Sequence, residues 1–422
     1  MARVRTPRLG VICAGIALES YDWVLYALLV AYFAPVFFAG DLRRSLLFGF
    51  GVFAAGFVAR PLGGVLLGRL ADRHGRRIAM LVCVAGAGTA AYGMALTPGT
   101  AVIGPAAPVL VLVWRLLLGV SQGGELPVAQ TYLYECAPPA RTGLFTSMFY
   151  VFAAAGKLAA CALAAVLVSV TGRQAMLDGW WRLPFLLGGV AATAFFLLRL
   201  RLPDTRAARE PEPRPVRDRR ALLGPMAVVA GLTVGVTSAY YLWTAAPTAY
   251  ALTVLGLDDD GVLWAGVGAT VVFALALPAF GLLGDRIGVR RTLFGGTLAM
   301  AAATIPLHLL LEHATPVTYW VVVLIATVLL ACLCATLPAS MSALFPARHR
   351  ALGQALPYGI TVAVFGGTTP FLEQMTATSD LVLPTYVVVL LMVSAWTNLA
   401  SARRDHQAQG SVAGNLPIVW SR

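Results

Sequence analysis

Gly68-Arg69-Leu70-Ala71-Asp72-Arg73-His74-Gly75-Arg76-Arg77 carries five charges between two long apolar runs, Leu46–Leu67 and Ile78–Leu96. Ten residues are too few for a domain, so the stretch reads as a tight loop joining two hydrophobic helices at a water interface. Its arginine excess assigns that interface to the cytoplasm, where loops of membrane proteins collect Lys and Arg. A second copy stands at Gly281-Leu282-Leu283-Gly284-Asp285-Arg286-Ile287-Gly288-Val289-Arg290-Arg291. Asp72 and Asp285 are separated by about half the chain, as in an internal repeat. The pattern predicts two similar membrane bundles in tandem.

Composition agrees. The chain has 422 residues, 59% hydrophobic and 12% charged, with a net charge of +12. A bilayer crossing needs about 20 apolar residues, and about twelve such runs are present. The arginines lie between runs on alternate sides, so the positive-inside bias accounts for the charge and nucleic-acid binding is not expected. Cys13, Cys83, Cys136, Cys161, Cys332 and Cys334 fall within or at the ends of apolar runs, without partners at zinc spacing. They read as small buried side chains, so no metal is expected. The basic start resembles a signal peptide, but Glu19 and Asp22 interrupt its apolar run, and an uncleaved first helix is expected.

The runs predict an all-α membrane protein of 12 transmembrane helices. Residues 1–200 form a first six-helix bundle, 201–221 a cytoplasmic linker rich in Arg, Pro, Asp and Glu, and 222–402 a second six-helix bundle. Residues 403–422 form a polar, disordered cytoplasmic tail. Arginines put both termini and the loops after helices 2, 4, 6, 8 and 10 on one side. Arg43, Arg44, Arg173 and Arg182 dissent but are outnumbered.

The signature at Gly68–Arg77 resembles that of the major facilitator superfamily. Other strings are similar to its metabolite:proton symporter branch (shikimate, alpha-ketoglutarate, citrate and proline-betaine permeases). They are Glu19-Ser20-Tyr21-Asp22-Trp23 in helix 1, Arg115 to Glu125 in helix 4, Leu344 to Gly353 between helices 10 and 11, and Phe365 to Pro370 in helix 11. The resemblance spans nearly the whole chain. It implies two pseudo-symmetric bundles and proton-driven import of a small polar metabolite. Ser20, Leu118 and Leu126-Pro127 depart from the branch's usual residues near the expected cavity, so the substrate does not carry over. The long C-terminal coiled coil of osmosensing members is absent, which lowers the betaine reading.

Glu19 and Asp22 share a helix face. Asp22 lies about 20 Å along the first helix, near the bilayer midplane. A charge there costs about 2.5–3.5 kcal/mol and survives where it lines a cavity or finds a partner. Burial disfavours the charged form of a carboxylate, the chemistry a proton carrier needs. Asp22 and Glu19 are therefore the proton-coupling candidates, the alternative being a permanent ion pair with Arg115 or Lys157. Glu125 follows Gly123-Gly124 and joins them as a candidate or belongs to an inner gate.

Arg115 could clamp a carboxylate bidentately or pin helices together. Lys157, the sole lysine, falls mid-helix in helix 5, where the branch is usually apolar. It should face the cavity, either binding an anion or neutralising Asp22 or Glu19. Tyr241 and Tyr358 offer hydroxyls to a substrate, though helix aromatics more often pack.

In the signature, Gly68 and Gly75 serve the turn. Asp72 can cap the short following turn, and Arg73, Arg76 and Arg77 can pair with acidic groups of neighbouring helices. Such pairs would hold the outward-open state and break when the bundles rock. Asp285, Arg286 and Gly288 should serve the second half alike, with Glu135 and Arg141 as partners; the alternative for the arginines is topology alone. No catalytic or nucleotide-binding motif stands out, so an enzyme reading has no support and no cofactor is expected.

The expected function is proton-coupled symport of a small organic anion by a monomer in the plasma membrane. An exporter or proton antiporter of the same fold is the first alternative. A ligand sensor that moves nothing is the second.

Overall fold

The computed structural model describes residues 7–38, 41–200, 222–253, 255, 257, 259–366 and 381–413. Among them the chain is helical apart from short connections, without a strand. The first half holds α1 (Pro7–Phe37), α2 (Leu42–His74), α3 (Arg76–Leu96), α4 (Ala106–Cys136), α5 (Thr142–Ala175) and α6 (Arg182–Arg199). The second holds α7 (Leu223–Thr253), α8 (Asp259–Ile287), α9 (Val289–Glu312), α10 (Pro316–Ser342), α11 (Arg350–Thr361) and α12 (Val382–Ala413). A π-helical turn, Val362–Gly366, extends α11. Among the described residues 11 helices are long and apolar enough to cross a membrane, and α11 is the twelfth member of the bundle. The linker expected at 201–221 lies outside the described residues, as do 367–370 of the helix 11 string.

Packing repeats with a shift of six helices. In the first half α2 packs on α4, α3 on α4 and α6, and α1 on α5; in the second α8 packs on α10, α9 on α10 and α12, and α7 on α11. The halves meet along α5–α8 and α2–α11, contacts that the same exchange interconverts. Two pseudo-symmetric six-helix bundles result. The outward surfaces carry exposed Leu, Val, Ile and Trp, such as Val58, Leu62, Trp264 and Leu275. In a chain with these spans, that shell faces lipid.

The signature differs from the expected loop. Its residues up to His74 are helical, and the break is confined to Gly75, at φ 102°. The counterpart, Gly288, has the same φ of 102°. A left-handed φ is open to glycine at no steric cost; arginine, leucine and alanine on either side are good helix formers and do not open a loop. The C-terminal segment also differs from expectation, because α12 continues to Ala413 instead of fraying at 403.

Arg182, one of the dissenting arginines, donates to the carbonyls of Ala95 at 2.5 Å and Thr97 at 2.8 Å. It neutralises the C-terminal end of α3, where carbonyls lack helical partners. That role is structural and independent of topology.

Candidate functional site

The first half is held at its centre by aromatic rings around charge. Asp22 is 2% exposed, and neither of its carboxylate oxygens has a hydrogen-bond partner. Arg115, also 2% exposed, stands across a shared crevice lined by Tyr26, Met94, Trp114, Leu118 and Phe185. The crevice volume is ≈ 10 Å³, room for about one water. The Arg115 guanidinium carbon lies 4.0 Å from the Trp23 ring, 4.3 Å from Tyr26 and 4.7 Å from Phe53. These are cation–π distances. Tyr26 is fixed by donating to the Gly49 carbonyl at 2.9 Å, so the cage wall is rigid. The alternative of a permanent ion pair is not what forms here: Asp22 and Arg115 are neighbours without a bond between them.

Arg60 is a further candidate that sequence reasoning missed. It sits within the run read above as apolar, because one charge hardly lowers a window average. Its guanidinium carbon lies 4.1 Å from Trp23 and 4.1 Å from Phe57. The Trp23 indole therefore carries two guanidinium groups.

Glu125 stands apart from this pair. It forms a bidentate ion pair with Arg199 at the end of α6, with Arg199 Nη1 donating to Glu125 Oε2 at 3.0 Å and Nη2 donating to Oε1. Both side chains are 0% exposed. Arg199 also donates to the Met80 carbonyl at 2.9 Å. Glu19 is buried beside this cluster, with Oε1 lacking a partner. Arg199 was missed because an arginine closing an apolar run reads as an interfacial anchor.

Lys157 is half-buried one turn before Cys161. It contacts neither Asp22 nor Glu19, so the structure does not support neutralisation of those carboxylates. Tyr241 reaches the first half, its ring 6.1 Å from that of Phe57. Tyr358 is half-buried on α11 and lies close to Tyr150 on α5.

At the arginine-rich face the two signature aspartates act in trans. Asp72 accepts from the Leu352 amide at 3.1 Å, and Asp285 accepts from the amides of Gly143 at 2.6 Å and Leu144 at 3.0 Å. Each carboxylate thus caps the first turn of a helix in the other half, α11 or α5, where orphan N–H groups and the helix dipole favour negative charge. This corrects the expectation that Asp72 caps its own following turn. Close backbone approach goes with both caps. An ideal Cβ on Gly68 would lie 3.2 Å from Leu352 Cα, and one on Gly281 2.9 Å from the Gly143 carbonyl oxygen.

Arg77, Arg141 and Arg286 make none of the expected ion pairs among the described residues. Arg77 donates to the Leu200 carbonyl beyond α6 rather than to an acid. Arg141 and Arg286 are exposed and make no side-chain bond among the described residues. The Arg76 side chain lies outside the described residues, and Arg73 is exposed. An ion pair crosses the seam between Glu135 and Arg350, at 3.2 Å. Arg350 also donates to the carbonyls of Ser342 at 2.9 Å and Phe345 at 3.2 Å, which fixes it at the entrance to α11.

A family model described as Major Facilitator Superfamily matches residues 12–370 and 228–408. The chain belongs to the major facilitator superfamily. Within the superfamily its curated relatives support the metabolite:proton symporter branch. The chain is 33% identical to the alpha-ketoglutarate permease of Escherichia coli (strain K12) over 367 residues, covering 85% of this chain and 84% of the relative. It is 33% identical to the citrate-proton symporter of Salmonella typhi over 372 residues, with the same coverage of 85% and 84%. The solved structure of the proton:xylose symporter XylE matches with a TM-score of 0.77 over 93% of both chains at 16% identity, a likeness of fold alone. The protein is an integral membrane transporter of the superfamily's twelve-helix type.

Proposed function

We propose that the protein is a proton-coupled symporter taking up a small organic anion by alternating access in the plasma membrane. The single observation that carries the reading is the Asp22–Arg115 arrangement. A buried carboxylate without hydrogen bonds faces a guanidinium across a crevice that admits about one water. Burial disfavours the carboxylate's charged form and the nearby cation favours it. Small changes in hydration then suffice to load or release a proton. Arg115, enclosed by three rings, is the partner of that proton site and not a clamp for substrate. Glu125 is a structural anchor through Arg199, and Glu19 a second acidic group beside it.

The halves at 1–200 and 222–402 rock about the 201–221 linker. The arginine-rich face is cytoplasmic, with both termini on that side. Asp72, Asp285 and the Glu135–Arg350 pair hold the cytoplasmic seam shut while substrate enters from outside, and release when the halves rock. The substrates for which the relatives are named, alpha-ketoglutarate and citrate, support an anion.

The test is uptake by reconstituted protein of labelled alpha-ketoglutarate, citrate, a betaine and a neutral polyol, with and without an inward proton gradient. Accumulation of a carboxylate that needs the gradient is expected. Accumulation only with the gradient reversed would make the protein an exporter, and binding without movement would make it a sensor.

A further inference from the structure

The proton site and the anchor account for the two buried cations of the first half, Arg115 and Arg199, and leave the half-buried Arg60 and Lys157 unassigned. The buried and half-buried cations among the first half's helices are Arg60, Arg115, Lys157 and, at the end of α6, Arg199, against the carboxylates Glu19, Asp22 and Glu125. Arg199 is matched to Glu125, and Arg115 faces Asp22. Arg60 has no ion pair among the described residues; Glu19 is within its electrostatic reach but beyond pairing distance. One positive charge remains in excess, and a second appears when Asp22 takes a proton. A charge left unbalanced at this depth is expensive, so an anion from outside the chain is the natural complement.

Position agrees with charge. Arg60 lies on α2 where α11 of the other half crosses, and an ideal Cβ on Gly359 would stand 3.2 Å from Pro61 Cα. The Trp23 and Phe57 rings, set edge to face at 87°, form a corner in which its guanidinium carbon lies 4.1 Å from each centroid, and its Nε is buried without a partner. Phe57 touches Tyr241, and Tyr240 and Tyr358 lie within electrostatic reach of the cation. An arginine packed in the corner of two perpendicular rings, with its Nε unpartnered, can offer its N–H fork to a planar carboxylate, a recognition that lysine cannot reproduce.

We propose that Arg60 is the substrate's carboxylate ligand on the first half, with the Tyr241 and Tyr358 hydroxyls completing the site from the second. The assignment rests on the symport reading and deepens it. An anion bound there joins the halves across the α2–α11 seam. Trp23 links the two events, because its ring carries both Arg60 and the Arg115 that faces Asp22. An anion on Arg60 and a proton on Asp22 thus act on cations sharing one indole.

The test is Arg60→Gln in reconstituted vesicles, read as KM for uptake of labelled alpha-ketoglutarate and citrate. A rise of about tenfold to a hundredfold is expected, the loss of a charge-assisted fork, with transport recovered at saturating substrate. Arg60→Lys should fall between wild type and Arg60→Gln. An unchanged KM in Arg60→Gln overturns the assignment while carboxylate uptake by the wild type keeps the symport reading. No carboxylate uptake by the wild type overturns both.

If Arg60→Gln yields no folded protein, phenylglyoxal labelling of the wild type decides. The peptide containing Arg60 should be modified, with protection by alpha-ketoglutarate and none by a neutral polyol. Labelling at Arg60 that no carboxylate slows refutes the assignment.

Discussion

Replacing Glu125 by glutamine should destabilise the first half more than any surface substitution. Glu125 and Arg199 are 0% exposed, and the pair is bidentate. Removing one partner of a buried pair leaves the other charge uncompensated, at a cost of roughly 3–5 kcal/mol. The introduced amide could still accept one bond, and Arg199 keeps its bond to the Met80 carbonyl at 2.9 Å, so the lower end applies. For a cooperative unit of about 150–250 residues, 1 kcal/mol is about 2–4 °C, which places the fall in melting temperature near 6–12 °C.

The assay is intrinsic tryptophan fluorescence during heating of purified protein in detergent, with both proteins heated at one fixed scan rate. The double substitution Glu125→Leu with Arg199→Leu should recover most of the loss, since deleting both charges removes the uncompensated one. The Glu135–Arg350 pair supplies the contrast. Its side chains are 17% and 14% exposed and Arg350 keeps two carbonyl acceptors, so Glu135→Gln should cost about 1–2 kcal/mol, less than Glu125→Gln. Glu125→Gln melting together with the wild type would refute the buried-pair account.

Three further outcomes follow from the seam. Asp285→Asn weakens two bonds to the first turn of α5, each worth about 1.5–3 kcal/mol, and should shift the protein toward the state open at the arginine-rich face; a cysteine introduced on α8 facing α5 should then label faster, and unchanged labelling would contradict the cap. Asp72→Asn should act the same way through α11, read by the same labelling on α2. Gly281→Leu places side-chain atoms where an ideal Cβ already stands 2.9 Å from the Gly143 carbonyl oxygen, so it should prevent seam closure and abolish uptake while leaving a monodisperse folded protein; wild-type uptake would show that α5 and α8 need not close.

The twelve helices and the repeat were legible because a bilayer forces long apolar runs and the arginines punctuate them. The limits of reading came from geometry beyond the local sequence. The signature reads as a loop, yet arginine, leucine and alanine keep helical geometry until Gly75 supplies the break. Asp72 finds its donor on Leu352, 280 residues along the chain, and no spacing rule reports such a partner. Arg60 was hidden by averaging over an apolar window, and Arg199 by its place at the end of one. Asp22 was legible on depth alone. Its separation from Lys157, and the aromatic cage that encloses Arg115, depend on how helices turn about their axes.

The most direct test of the central claim is to separate accumulation from exchange in Asp22→Asn. Protein is reconstituted, and labelled alpha-ketoglutarate or citrate is followed both as gradient-driven accumulation and as counterflow without a gradient. The wild type should accumulate substrate only with an inward proton gradient, and Asp22→Asn should retain counterflow while losing accumulation. Full gradient-driven accumulation by Asp22→Asn would contradict the assignment of proton coupling to Asp22.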